Sequence, residues 1–224
     1  MNRIQSPIFE LENVRVIREG GTTLKISRFQ FHRGTIYGIV GPVGSGKTTL
    51  LECLVGRLKP TEGKILYENE KYAKSWLGKL KIPPEILFFE QIRINSAEAV
   101  REYVQKKIPD RVDYVRRQYY SRVPLNDEWK MPMQGLSKGQ SLRLNLIVAI
   151  ESDPKVLIID DYGSNFDSKM KREFNRGLAY SARSRGATII LATADMGDVR
   201  SVASVVVALD NGHISKVRSL KKQS

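Results

Sequence analysis

Two early stretches alternate apolar and polar residues, 8–17 (IFELENVRVI) and 23–31 (TLKISRFQF), with Glu19, Gly20, Gly21 and Thr22 between them. A period of two puts every second side chain on one face of a strand, so the pair reads as a hairpin on an antiparallel sheet. The pattern then changes. Thr35 to Val40 (TIYGIV), Val156 to Ile159 (VLII) and Thr188 to Thr193 (TIILAT) are short apolar runs, as expected of strands buried on both faces. Residues 86–89 (ILFF) predict a further strand, and 64–67 (KILY) another after a turn at 60–63. Asn211-Gly212 between 205–209 and 214–217 predicts a closing hairpin.

Helical spacing fills the gaps. Residues 49–55 have the apolar density of a packed helix, and 141–151 (SLRLNLIVAIE) predict a second that Pro154 ends. Residues 168–185 form a charged amphipathic pattern closed by Gly186, a common residue just past a helix. Two amphipathic helices are expected between Ser96 and Arg122. Ser96 would cap the first; Val112, Val115, Tyr119 and Val123 would line the second. Strands alternating with helices imply an α/β fold with a mostly parallel sheet and flanking helices. Residues 68–84 are polar and basic, and neither repeat nor linker interrupts the chain.

Composition narrows the class. At 224 residues the chain suits one large domain, or a core with a small subdomain. Its single cysteine, Cys53, excludes an internal disulfide, fits a reducing compartment and reads as a small buried hydrophobe. No run approaches the ~18–20 apolar residues of a membrane span, and the first residues lack the apolar core of a signal peptide. The net charge of +13 admits a solvated basic surface, an anionic membrane or nucleic acid. The basic residues are scattered and not interleaved with aromatics, so a nucleic-acid partner has the least support.

The chemistry centres on Gly41-Pro42-Val43-Gly44-Ser45-Gly46-Lys47-Thr48, which fits G-x-x-x-x-G-K-[ST]. A predicted strand precedes it and a predicted helix, beginning near Thr49, follows. Its glycines let backbone amides approach an anion, at a helix start that carries partial positive charge. Lys47 would reach the β- and γ-phosphates of a nucleoside triphosphate, and the Thr48 hydroxyl would ligate Mg²⁺. Asp160 ends the strand 156–159, where a carboxylate can hold the same ion.

With Leu136-Ser137-Lys138-Gly139-Gln140 lying before VLIIDD, and Ser164-Asn165-Phe166-Asp167 just after it, the chain resembles the ATP-binding-cassette (ABC) ATPases over nearly its full length. The resemblance implies a phosphate-loop NTPase core with an N-terminal antiparallel β subdomain, formed by 1–91 and 136–224, and an inserted helical subdomain at about 92–135. It implies that Gln91 touches Mg²⁺ and senses the γ-phosphate, and that residues 41–49 bind ATP. Ser137 and Gly139 would cap the γ-phosphate of ATP on the opposite protomer, with Lys138 in place of the commoner glycine. Asp167 would lie at the dimer interface, act as a helix N-cap, or do both. Arg143 fits the arginine that commonly follows the signature. The implied assembly is a head-to-tail homo- or heterodimer with two ATP molecules between its protomers.

Three positions depart from the family. Asp161 stands where a glutamate usually polarises the attacking water. Ala194 stands where a histidine usually contacts the γ-phosphate, and the two histidines, His32 and His213, lie elsewhere in the chain. The aromatic residue that usually stacks on adenine is missing; Arg18 could stack there, or be a surface arginine without that role. Phosphate binding therefore reads as intact and hydrolysis as weakened. The expectation is a cytoplasmic ATPase subunit, peripheral on the cytoplasmic face of a membrane and working with transmembrane subunits. A soluble, non-transport ABC ATPase or a regulatory ATP-binding subunit is the alternative.

Overall fold

The computed structural model describes residues 7–18, 21–73, 80–90, 96–121 and 125–220. In chain order these form β1 (Pro7–Arg18), β2 (Gly21–His32), β3 (Ile36–Val40), α1 (Lys47–Leu54), β4 (Glu62–Tyr67), β5 (Glu70–Lys71) and β6 (Ile86–Phe89). The helical stretch follows with α2 (Val100–Lys107), α3 (Val112–Tyr119), α4 (Leu125–Glu128) and α5 (Lys138–Glu151). The chain then continues through β7 (Val156–Ile159), α6 (Ser168–Ser184), β8 (Thr188–Thr193), α7 (Met196–Val199), β9 (Val205–Asp210) and β10 (His213–Ser219). Parts of the predicted turn at 19–22, of the basic stretch 68–84 and of the second predicted helix lie outside the described residues, as does Gln91.

Two sheets organise the chain. The first runs β2-β1-β4-β5 and is antiparallel throughout. The second runs β10-β9-β3-β8-β7-β6; its strands are parallel except β10, which pairs antiparallel with β9 through the predicted Asn-Gly hairpin. All six residues of β8 are buried, as an inner parallel strand requires.

Alternation along the inner strands feeds two cores. Leu157, Ile159, Ile189 and Leu191 face the helices α2 to α6. Val156, Ile158, Ile190 and Ala192 face α1 and the antiparallel sheet. Cys53 belongs to the second core, where burial pushes its thiol up to about 12; it is a packed hydrophobe and not a nucleophile.

Helix α5 is buried on nearly every side, while α6 buries Met170, Phe174, Leu178 and Ala182 at a spacing of four. Gly186 follows α6 with φ +73°, the left-handed turn predicted for it. Three expected helix starts move: the helix predicted over 49–55 begins at Lys47, that over 141–151 begins at Lys138, and the first of the two expected after Ser96 begins late. Ser96 does not cap α2, which begins at Val100; its hydroxyl accepts from the Glu98 N–H at 3.1 Å. The reason is non-local: residues 96–100 pair by backbone with 131–134, as in Met133 N–H to the Glu98 carbonyl at 2.9 Å and Val100 N–H to that of Met131 at 3.0 Å. Glu102 instead takes the Ala99 N–H at 3.1 Å.

The C-terminal end of α5 carries a buried carboxylate, Glu151, that accepts from Arg111 and Arg185 at 2.7 Å each and from the Tyr119 hydroxyl at 2.8 Å. Burial alone would raise its pKa, but the bonds from Arg185, Arg111 and Tyr119 outweigh that and hold it below the ordinary glutamate value. A carboxyl depressed by folding adds stability above its unfolded pKa of about 4.3, and that stability is lost as pH falls through the folded value. Glu151→Gln should therefore cost about 3 kcal/mol at pH 7. Urea denaturation at several pH values should show the gap to wild type narrowing below about pH 4; a constant gap would mean the charge contributes nothing.

Candidate functional site

Strand β3 lies between β9 and β8 and delivers the chain into the glycine loop at its C-terminal end. Gly41 keeps the strand pairing going, its N–H reaching the Thr193 carbonyl at 3.4 Å. The loop then passes between the first and last hairpins with no space to spare. A Cβ on Gly46 would come within 2.6 Å of the Thr23 carbonyl oxygen, and Gly46 has φ +98°. Gly44 has φ +81° but open space around it. Ser45 is buried and its carbonyl takes the Gly212 N–H at 3.0 Å, while Val43 stands almost wholly in solvent. Thr49 is buried in the first turn of α1.

Lys47 folds back along the loop, donating to the carbonyls of Gly41 at 2.8 Å and Pro42 at 2.9 Å. Burial pulls its pKa below the ordinary lysine value, opposed by the carboxylates of Asp160 and Asp161. An anion seated against the loop would relieve this ammonium, which sits beside a helix N-terminus of the same sign.

Asp160, at the end of β7, accepts from the Thr48 hydroxyl at 2.7 Å through one oxygen and from the Asp161 N–H at 2.9 Å through the other. The structure thus brings Lys47, Thr48 and Asp160 together at one end of the large sheet. Asp161 is exposed there with φ +51°, a left-handed conformation that Asp tolerates better than most residues. The Ser164 hydroxyl bonds to its carbonyl at 3.1 Å.

Ala194 is exposed just past β8. The next carboxylate, Asp195, is occupied in capping α7, accepting from the Gly197 N–H at 2.8 Å. His213 bonds the Asn211 carbonyl in the last hairpin and His32 faces Tyr37, so neither reaches the place of Ala194. Arg18 donates to Glu52 of α1 at 2.8 Å and is half exposed.

The second motif forms the start of α5. Ser137 is the N-cap: its hydroxyl accepts from the Gln140 N–H at 3.2 Å, and the Gln140 side-chain oxygen accepts from the Ser137 N–H at 2.9 Å. This reciprocal cap leaves the first two helical amides, those of Lys138 and Gly139, for an incoming anion. Leu136 is buried beneath, and Gly139 has open space above it. Asp167 caps α6, accepting from the Met170 N–H at 2.7 Å. Ser137, Gly139, Gln140 and Asp167 line one groove of about 480 Å³. Among the described residues no hydrogen bond or ion pair joins residues 136–140 to the glycine loop. The two motifs face separate spaces on one chain.

On the wall of the same groove Arg143 is mostly buried and fork-bonded to Glu173 of α6 at 2.9 Å through two nitrogens, with a third bond to the Tyr119 carbonyl at 2.9 Å. Glu128 adds a bond from the Gln140 amide nitrogen at 3.2 Å. Glu128 and Glu173 are not singled out in the sequence, and Tyr119 is read there only as a residue lining a helix; Glu173 lies on the predicted helix 168–185, but nothing local to Glu128 marks it. For a divalent cation, the donors at the glycine loop are hard oxygens, Thr48 and Asp160. No cluster of three or more His, Cys, Asp or Glu exists among the described residues. That set suits Mg²⁺, which keeps waters and shares its coordination with phosphates.

A protein-family model described as "ABC transporter" matches residues 24–163. The spermidine/putrescine import ATP-binding protein PotA of Mycoplasma mycoides is 25% identical over 96% of this chain and 62% of its own length. The chain thus spans about six-tenths of that relative. The ABC transporter ATP-binding protein YybJ of Bacillus subtilis is 29% identical over 86% of this chain and 88% of its own. Among solved structures, cbiO1 of Clostridium perfringens, part of the ABC transporter complex cbiONQ, superposes with a TM-score of 0.78 at 26% identity, covering 97% of this chain and 90% of that one. Among the described residues no helix is long and apolar enough to cross a membrane.

The loop's packing gives a direct test. Gly44→Ala should cost about 1 kcal/mol for its left-handed backbone alone. Gly46→Ala meets the same strain and the Thr23 carbonyl besides, adding about 1–3 kcal/mol. Urea denaturation of both variants checks this, and equal losses would show that the hairpin contact is not felt.

Proposed function

We propose that this chain, which belongs to the ABC transporter family, is an ATP-binding subunit that closes with a second cassette around two nucleotides and hydrolyses them slowly. The observation that carries the reading is the bond between Thr48 and Asp160, which ties the glycine loop to the strand-end carboxylate. The loop amides and the N-terminus of α1 would hold the phosphates, and Lys47 would leave the Gly41 and Pro42 carbonyls for the β- and γ-phosphates. Thr48 and Asp160 would hold the magnesium ion, Asp160 through water, with Gln91 as a further ligand outside the described residues. Bound there, the ion would draw charge off the phosphate oxygens. Ser137 and the amides of Lys138 and Gly139 would cover the γ-phosphate held by the other protomer, and Asp167 would sit at the shared interface. Arg18 would leave Glu52 to stack on adenine.

Asp161 would orient the attacking water. Its carboxylate is carried about 1.5 Å short of a glutamate's, the length of one C–C bond, and a misplacement of about 1 Å costs on the order of 10²-fold in rate. Ala194 offers the γ-phosphate no donor, a loss of about 10²–10³-fold where such groups stabilise a transition state. The two losses need not multiply, because the groups act as one unit.

That cbiO1 is part of the ABC transporter complex cbiONQ supports membrane partners for this chain as well. The helical stretch near 92–135 would be the part that docks on them, with the chain on the cytoplasmic face. Co-purification with membrane proteins from detergent extracts tests this; salt-sensitive binding to nucleic acid would favour a non-transport role instead.

Replacing Lys47 by Ala should lower MgATP affinity at least about tenfold by equilibrium titration, the loss of one charged phosphate contact. An unchanged affinity would sink the nucleotide reading. Wild-type turnover should be slow, and Asp161→Glu combined with Ala194→His should raise it at least about tenfold. A wild-type rate equal to that of the double variant would overturn the weakened-site proposal.

A further inference from the structure

We propose that Glu128 is a positioning residue for the phosphate-facing end of α5, acting by fixing the side-chain amide of Gln140. It rests on the two-cassette reading above. Glu128 belongs to the short helix α4, remote in sequence from the signature, yet it is 4% exposed and its Oε2 takes the Gln140 amide nitrogen at 3.2 Å. An ionised carboxylate only accepts hydrogen bonds, so the amide NH₂ of Gln140 must face it. The amide oxygen is then turned towards the Ser137 N–H, which it meets at 2.9 Å. That bond closes the reciprocal cap. With the cap closed, the Ser137 hydroxyl already accepts from Gln140 N–H, so its own hydrogen remains for a phosphate, beside the amides of Lys138 and Gly139.

Without Glu128 the amide loses the partner that dictates its orientation. The flipped amide would point NH₂ at the Ser137 N–H, donor against donor, and the cap would open.

Glu128 is itself held for this task. Arg143 Nη1 faces its Oε1 across 3.7 Å, and Arg143 is in turn clamped by Glu173. Glu128 Oε1 and Arg143 Nη1 are buried with no hydrogen bond, which leaves the bond from Gln140 as the measured hydrogen bond of this carboxylate among the described residues, with the Tyr120 hydroxyl also acting to lower its pKa. The neighbouring Trp129 packs on Tyr120 with ring centroids 5.1 Å apart, which fixes the end of α4. The Glu128 carboxyl is raised by burial, and Arg143 opposes that rise.

Because the signature acts on the partner's nucleotide, the arrangement of two substitutions separates positioning from general damage. Glu128→Ala and Lys47→Ala placed on separate chains leave one composite site with an intact loop and an intact signature. Placed on one chain, they leave none in its pair with wild type, and only pairs containing the tagged doubly substituted chain are counted, since wild-type homodimers keep two. MgATP-driven pairing, read by sedimentation velocity of the tagged mixtures, should be at least about tenfold stronger in the first arrangement. Glu128→Gln, which still offers an oxygen to the Gln140 NH₂, should restore pairing to within about threefold of wild type. Adding Gln140→Ala to Glu128→Ala should cost little more, since both act through one amide. Equal pairing in the two arrangements, or no rescue by Glu128→Gln, would overturn the role of Glu128 while wild type still pairs. A wild-type chain that does not pair with MgATP at all would bring down the two-cassette reading, and this proposal with it.

Discussion

The bond between the Thr48 hydroxyl and Asp160 is where the large sheet and the glycine loop are brought into register. It exists because β3 and β7 are parallel members of one sheet, so their C-terminal ends open on the same edge. The loop leaving β3 turns into α1, whose first amides and dipole favour negative charge. The chain supplies only part of that charge itself: Asp160 on Thr48, and Asp161 near Lys47. Lys47 meanwhile rests on two backbone carbonyls, and burial pulls its pKa below the ordinary lysine value. A site whose cation is held by neutral dipoles at a helix start is electrostatically unfinished, and a phosphate group completes it.

Most of this frame was legible because it is local. The alternation of β1 and β2, the apolar runs of β7 and β8, and the Asn-Gly turn are set by neighbours within a few residues, and the structure follows them. The glycine loop and Asp160 were equally legible, since each is fixed by a short spacing, whereas the helix start at Lys138 with Ser137 as its cap lies three residues before the apolar run that predicts it. What escaped is non-local. Ser96 has the residue type of a cap, but backbone pairing with 131–134 claims its segment first. Arg143 could be picked out, yet not its partners, which come from α3, α4 and α6. Glu128 sits on a helix of four residues, too short to carry a period. Arg18 shows the same limit at the surface: its place near the loop follows from the hairpin, whereas its ion pair with Glu52 depends on how α1 packs.

Those non-local contacts make α5 a tied element, not a free rod. Near its start Arg143 grips Glu173 and the Tyr119 carbonyl; at its end Glu151 grips Arg111, Arg185 and the Tyr119 hydroxyl. Tyr119, the last residue of α3, thus bonds both ends through its two polar groups. Burying such charges is costly, and breaking one partner away costs more, because the other is left unpaired. A displacement of α3 must therefore carry α5 with it or give up contacts on both sides. Coupling of this kind needs only packed charge and a rigid helix between two places, which is the physical content of transmission through a fold.

The same distinction between backbone and side chain bears on why binding and hydrolysis can part company in this chain. The proposed phosphate grip would be made of amides whose positions are fixed by β3, the glycine conformations and the packing of both hairpins, with Lys47 as its main side-chain contribution. The proposed chemistry depends instead on two side-chain termini placed to within about an ångström. At Asp161 the backbone is already held in the left-handed region by the turn to Ser164, so the chain has little freedom to advance a shorter carboxylate. At Ala194 the following carboxylate is engaged in capping α7 and cannot be recruited without uncapping it. A fold can therefore keep the affinity of its glycine loop while the catalytic end drifts, because the two depend on different parts of the covalent structure.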